Sequence, residues 1–211
     1  MSSNEEPQGL RELKKSHTRQ ALTDAALTLF EKQGYEETTV EQIAASVPVS
    51  RRTFHRYFGS KEEVVLAHED RVFDELLDAF ESRPAGESAL TALRHALVGL
   101  LTTDEGIGDF GRTQRVQMLI FSNPSLLAAN TYRYHRREQE LARCVALRAG
   151  LDPGSRDLRP RLIAAQSMSA LRVALTEWIT GTDLAVSECV NLLNEALDLT
   201  ATGLDLPAPT S

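Results

Sequence analysis

Apolar residues recur every three to four positions along nearly the whole chain, and nowhere do they alternate with polar ones as a half-buried strand requires. That period admits only helices packed on helices, so the expected fold class is all-α. The punctuation agrees. Ala21, Leu22, Ala25, Ala26, Leu29 and Phe30 form one stripe that stops at Gly34, a residue suited to a left-handed helix end. Thr39 with Gln42 forms a T-x-x-Q capping box before Ile43, Ala44 and Val47, and Pro48 stops that short helix. Ser50 is a good N-cap for a third helix with Phe54 and Phe58 inside, closed by Gly59. Ser60 and Glu63 make a second box, opening a long helix that buries Val65, Val72, Phe73, Leu76, Leu77 and Phe80 and ends before Pro84. Further helices are expected from Ser88 to Leu101, over 112–121, from the Asn123-Pro124 pair to Gly150, and over 157–181 and 183–203, with a glycine-bearing loop at 104–111.

Length and charge narrow the function. At 211 residues and 42% hydrophobic composition the chain can bury one large or two small cores. No run approaches the roughly 18 apolar residues of a membrane helix, so no membrane partner is expected. Cys144 and Cys189 lie far apart without a CxxC pair, and the acidic, polar start is unlike an export signal; both point to a cytoplasmic location. The net charge of -7 hides an asymmetry: residues 10–61 carry a net +3 and residues 62–211 a net -8. A polyanion would meet the first part and avoid the second.

Residues 39–58 read as helix, tight turn, helix, the spacing of a helix-turn-helix whose second helix lies in the DNA major groove. With Phe54 and Phe58 inside, that second helix presents Arg51, Arg52, Thr53, His55, Arg56 and Tyr57 outward. Arginine reads guanine edges bidentately, and the hydroxyl and imidazole groups suit phosphates or thymine methyls. Lys61 adds a cation at the next helix start, where free N–H groups also favour a phosphate. A solvated arginine pair at a helix start is the competing reading of Arg51 and Arg52, and the motif around them tips the balance to DNA.

The run TTVEQIAASVPVSRRTFHRYFGSKEEVVLA, preceded by RQALTDAALTLFEKQGYEETT, closely resembles the DNA-binding module of the TetR family of bacterial transcriptional regulators. The likeness is dense from Leu13 to Leu66. It implies an all-helical homodimer on a palindromic double-stranded operator, with a C-terminal domain for a small molecule. By that resemblance Thr39, Thr53, Tyr57 and Lys61 match phosphate contacts, while Arg51, Arg52, His55 and Arg56 face bases or flanking phosphates, with Ser50 completing the set. One departure stands out: Pro48 replaces the usual glycine of the turn, and proline cannot take positive φ. The expected organisation is a tail at 1–12, the helix-turn-helix domain at 13–60, an effector and dimerisation domain at 61–205, and a tail at 206–211.

In the acidic part, the small residues and two-faced apolarity of the last two helices suggest a four-helix dimer seam through Ala170, Ala174, Val186, Val190, Leu193 and Leu197. The middle helices would then surround a pocket, with candidate walls at Val72, Leu76, Leu97, Leu101, Met118, Phe121, Leu127 and Tyr132 and polar candidates at Arg115, Gln117, Tyr134, Gln166, Arg172 and Trp178. Each of these positions also fits plain core. The SRRTFHRYF, RPAG, LRAGLDP and LRPRL segments resemble a subgroup akin to the regulator of mycofactocin genes, which implies a long-chain acyl-CoA or another elongated hydrophobic effector. No phosphate loop, HExxH or GxSxG is present, and His135 with Glu138 is only half a metal site, so no enzyme, metal or cofactor is expected. A helical adaptor is the remaining rival; it would leave the exposed arginines idle.

Overall fold

The computed structural model describes residues 8–102, 110–182 and 185–203; of the loop expected at 104–111, residues 104–109 lie outside them and 110–111 already belong to a helix, and residues 1–7 of the expected tail at 1–12 and the tail at 206–211 lie outside them too. Among the described residues there are nine helices and no strand: α1 (Gln8–Gln33), α2 (Val40–Ala45), α3 (Arg51–Tyr57), α4 (Lys61–Glu81), α5 (Ala89–Thr102), α6 (Phe110–Ser122), α7 (Pro124–Arg148), α8 (Arg159–Thr180) and α9 (Val186–Thr202).

Most of the expected punctuation acts as read. Gly34, at φ +90°, ends α1. Thr39 and Gln42 complete the reciprocal capping box of α2, and the Ser50 hydroxyl accepts from the Thr53 N–H at the start of α3. Ser60 caps α4, but the returning Glu63 carboxylate accepts from the Gly59 N–H (2.5 Å), one residue earlier than a standard box. One expectation is corrected and another refined. α1 begins at Gln8, inside the stretch read as a tail. Asn123 holds the N-cap position of α7, with Pro124 next and its carbonyl accepting from the Leu127 N–H (2.9 Å), but its side chain makes no capping bond; Nδ2 donates backwards to the Leu119 carbonyl (2.7 Å) and closes α6.

Two apolar clusters result. The first joins Leu22, Ala26, Leu27 and Phe30 of α1 to Ile43 and Ala44 of α2, Phe54 and Phe58, and Val64–Leu66, with Val116, Ile120 and Leu126 from α6 and α7. The second gathers Phe73, Leu76 and Phe80 of α4, most of α5, the second half of α7, and α8 and α9. α4 belongs to both, so the basic and acidic parts share a helix.

The packing of α8 on α9 corrects the expected dimer seam. Ala170, Ala174, Leu193 and Leu197 are almost fully buried within the protomer, because they are the residues through which the two helices pack on each other and on α4, α5 and α7. Val186 and Val190 are half-buried. What α8 leaves outward is Leu162, Gln166, Ser169 and Val173, with Leu199 exposed on α9.

Candidate functional site

The helix-turn-helix is built from a short turn and two caps. After α2 the chain makes a three-residue turn centred on Pro48, closed by the Val49 N–H donating to the Val47 carbonyl (2.6 Å). No non-glycine residue among those described has positive φ, so this turn dispenses with the left-handed residue that a glycine would supply. Phe54 and Phe58 point inward and stack on each other at 5.8 Å. Arg51, Arg52, His55 and Arg56 are therefore left on the solvent side of α3, with Ser50 exposed at its start and Thr53 and Tyr57 half-exposed.

Several of these side chains are already oriented. Arg51 pairs with Glu41 of α2 (2.8 Å), both of them exposed. The Ser50 and Thr53 hydroxyls lie 3.0 Å apart, and the Arg56 guanidinium sits over the Tyr57 ring. Thr39 is exposed at the start of α2, its hydroxyl occupied by the Gln42 N–H. Lys61 is more committed than expected: its ammonium donates to the carbonyls of Tyr35 (2.7 Å) and Glu36 (3.2 Å) and lies 4.3 Å from the centre of the Tyr35 ring. The Tyr35 hydroxyl donates to Glu62 (2.8 Å). Burial and that carboxylate push the tyrosine well above its ordinary range. Burial works to raise Glu62 as well, but bonds from Ser60, the backbone and Tyr35 outweigh it and hold the carboxyl below its usual value. The start of α4 is thus locked to the α1–α2 loop.

Beyond this module lies a cavity of about 360 Å³ among α4, α5, α6, α7 and α8. Of the expected wall residues, Val72, Leu76, Leu97, Leu101, Phe121, Leu127 and Arg172 line it. Five do not, and packing explains each. Met118, 45% exposed, and Arg115, paired with Glu31 (3.1 Å), lie on the outer side of α6. Tyr132, 80% exposed, and Gln166 face solvent from α7 and α8, and Trp178 is core of the second cluster. Gln117 and Tyr134, named among the polar candidates, also line it, while sequence reasoning missed Glu69, Asn130 and Arg137, polar residues of the wall. The available signal was Glu69, three, four and seven residues before Val72, Phe73 and Leu76, a charge inside an apolar stripe.

The polar corner is tightly bonded. Gln117 Nε2 donates to Glu69 Oε2 (2.9 Å), the Tyr134 hydroxyl donates to the Met168 carbonyl (3.1 Å), and Arg137 and Arg133 both pair with Asp70. Burial pushes the Glu69 carboxyl up, against the opposing pull of Arg137 and Gln117. The cavity also touches the DNA-facing module through α6. Thr113 lines the cavity and meets His68 of α4 (2.9 Å), while its neighbour Arg112 pairs with Asp24 of α1, and Arg115 pairs with Glu31.

A basic helix-turn-helix face, joined by shared helices to a domain with a largely apolar cavity, defines a class of DNA-binding protein. Comparison with known sequences gives the same class: residues 22–68 match the bacterial regulatory proteins of the tetR family, and residues 87–205 match the MftR C-terminal domain. The chain belongs to the TetR family and is a DNA-binding transcriptional regulator with an MftR-type C-terminal domain. It is 41% identical to the HTH-type transcriptional regulator TcmR of Streptomyces glaucescens, over 90% of this chain and 85% of that one. It is 26% identical to the putative mycofactocin biosynthesis regulator MftR of Mycobacterium tuberculosis, over 91% and 93%. Among solved structures it shares its fold with Thermus thermophilus FadR, a TetR-family repressor in complex with lauroyl-CoA, at a TM-score of 0.58 and 20% identity, covering 92% of this chain and 100% of that one. These matches are to regulators, not enzymes. No described helix is long and apolar enough to cross a membrane.

Proposed function

We propose that the protein is a repressor that binds an inverted repeat as a dimer and leaves it when a small, largely apolar effector enters the cavity. Each α3 would lie in the major groove, with Arg51, Arg52, His55 and Arg56 at base edges or their flanking phosphates. Thr39, Ser50, Thr53, Tyr57 and the remaining donor of Lys61 would meet phosphates. The observation that carries the effector part is α6: one face lines the cavity through Thr113, Gln117 and Phe121, and another holds α1 through Arg112 and Arg115. A ligand that moves this helix biases the spacing of the two recognition helices, and release follows if it binds the off-DNA state better.

The cavity volume lies in the range of small-molecule sites, roughly 300–1,000 Å³. Its wall, with Val72, Leu76, Leu97, Leu101, Phe121 and Leu127, suits an elongated hydrophobic chain. The fold shared with FadR, seen with lauroyl-CoA, makes long-chain acyl-CoAs the first effectors to try. Acyl-CoAs of increasing length are titrated into the complex of the protein with DNA from upstream of its own gene, followed by fluorescence anisotropy. Chain-length-dependent release supports the acyl-CoA; binding to DNA that no acyl-CoA alters removes it and leaves the DNA-binding role intact.

We further propose a dimer through the outward faces of α8 and α9. Leu162, Gln166, Ser169 and Val173 fall at successive turns of one α8 stripe, and Leu199 extends the surface. A second copy of the same stripe is its natural occupant, since a two-fold axis sets like against like.

A further inference from the structure

The cavity wall is largely apolar, and two of its polar residues, Glu69, 8% exposed, and Arg137, 4% exposed, are almost fully buried beside the space. Glu69 Oε2 accepts from Gln117, but among the described residues Oε1 has no hydrogen-bond partner. Arg137 is in the same condition: Nη2 donates to Asp70 (2.8 Å), Nη1 reaches Asn130 Oδ1 at 3.5 Å, and Nε has no partner among the described residues. A buried acceptor and a buried donor left open in one cavity are unusual, because such groups lower stability unless something satisfies them. The bond from Gln117 uses only one of the two carboxylate oxygens. Glu69 shares its α4 stripe with Val72, Phe73 and Leu76, where a leucine would pack.

We propose that Glu69 Oε1 and Arg137 Nε anchor a hydroxyl group carried on the apolar part of the effector that enters the cavity, the hydroxyl donating to Glu69 and accepting from Arg137. This rests on the reading of the cavity as the effector site and names the chemistry the effector must carry. The charges of the wall point to a neutral polar group at this place. Glu69 and Glu138 are matched there by Arg137 and Arg172, so a ligand carboxylate would meet Glu69 and a ligand ammonium would meet Arg137. A hydroxyl, in addition, can pair with either protonation state of Glu69, whose carboxyl burial pushes up. A plain acyl chain brings no donor to this corner; a hydroxylated chain does.

The test uses two isomeric probes, 1-octanol and 1-methoxyheptane, the second lacking the hydroxyl donor, titrated calorimetrically into the full-length wild type, Glu69→Leu and Glu69→Met. The wild type is expected to bind the alcohol at least about tenfold more tightly than the ether. In both variants that preference disappears. Glu69→Met, flexible and apolar, carries the comparison if Glu69→Leu fails to fold. Without ligand, the better-folded variant should melt about 2–4 °C above the wild type, since removing an open acceptor relieves the fold. A carboxylate serving structure alone would give a lower melting temperature. Equal affinity for the two probes in the wild type, a preference that survives both variants, no binding of either probe, or a lower melting temperature in both variants overturns the proposal. Anisotropy on the operator complex separates it from the effector reading. Selective binding without release leaves the anchor and removes the effector role, whereas equal release by both probes leaves the effector role and removes the anchor.

Discussion

Lys61 carries a structural task and, as proposed, a DNA contact in one ammonium group. Two of its three donors hold the carbonyls of Tyr35 and Glu36, which lie 26 and 25 positions away in the chain, so only the third is left for DNA. Lys61→Ala is therefore expected to lower unfolding stability by about 1.5–3 kcal/mol in a denaturant melt, because charge-assisted bonds at a partly buried site are lost. It should also weaken binding to all DNA sequences alike and lower the salt slope by about 1. Arg52 is exposed on α3, so Arg52→Ala should leave the melt unchanged, cost about 1–3 kcal/mol of operator affinity and relax sequence preference. Anisotropy titrations at several salt concentrations on operator and scrambled DNA separate the two outcomes. The outward face of α3 was legible because Phe54 and Phe58, four apart, fix the inner face of a short helix. The bonds of Lys61 were not, because they depend on where a distant loop ends in space.

At the scale of the element, α6 is the piece through which cavity and DNA module meet. Its Arg112 pairs with Asp24 of α1 while Thr113, the next residue, lines the cavity. Asp24→Ala should leave effector-free operator binding nearly intact and blunt the response to effector. A coupling of about 1–3 kcal/mol gives roughly 5- to 150-fold release. Losing the tie should reduce that factor by about 2- to 30-fold, the span of 0.5–2 kcal/mol that coupling mutations carry. Operator release midpoints for the two proteins measure it; an identical response would place the transmission elsewhere. Element starts were readable where local chemistry sets them, as at Thr39, Ser50 and Ser60. Asn123 takes the N-cap position as read, but its side chain turns back to close the helix before it, because the end of α6 supplies an open carbonyl. The cavity wall was readable on α4 and α5, whose stripes are unambiguous. It was less so on α6 and α7, where Met118 and Tyr132 lie on faces that only the packing angle assigns.

For the whole molecule, the apolar residues of α8 and α9 divide between folding the protomer and, as proposed, joining two of them. Periodicity alone could not make that division, because a helix apolar on two faces does not say which face meets its own chain. Val173, 45% exposed, and Leu193, fully buried, therefore predict different outcomes. Val173→Glu should give folded monomers by sedimentation with weakened operator binding. Leu193→Glu should unfold the protomer, since it buries an unpaired charge in the second cluster. A Val173→Glu protein that remains a full-strength dimer would move the seam to another surface. The central claim is that two α3 helices, set by that dimer, read one face of a duplex. Footprinting of the full-length protein on the DNA upstream of its gene tests it directly. The account predicts two protected half-sites related by a dyad and about one helical turn, or a multiple of it, apart, with both protections lost in Arg52→Ala/Arg56→Ala. A single protected site without symmetry, or a footprint that the double substitution leaves unchanged, would contradict it.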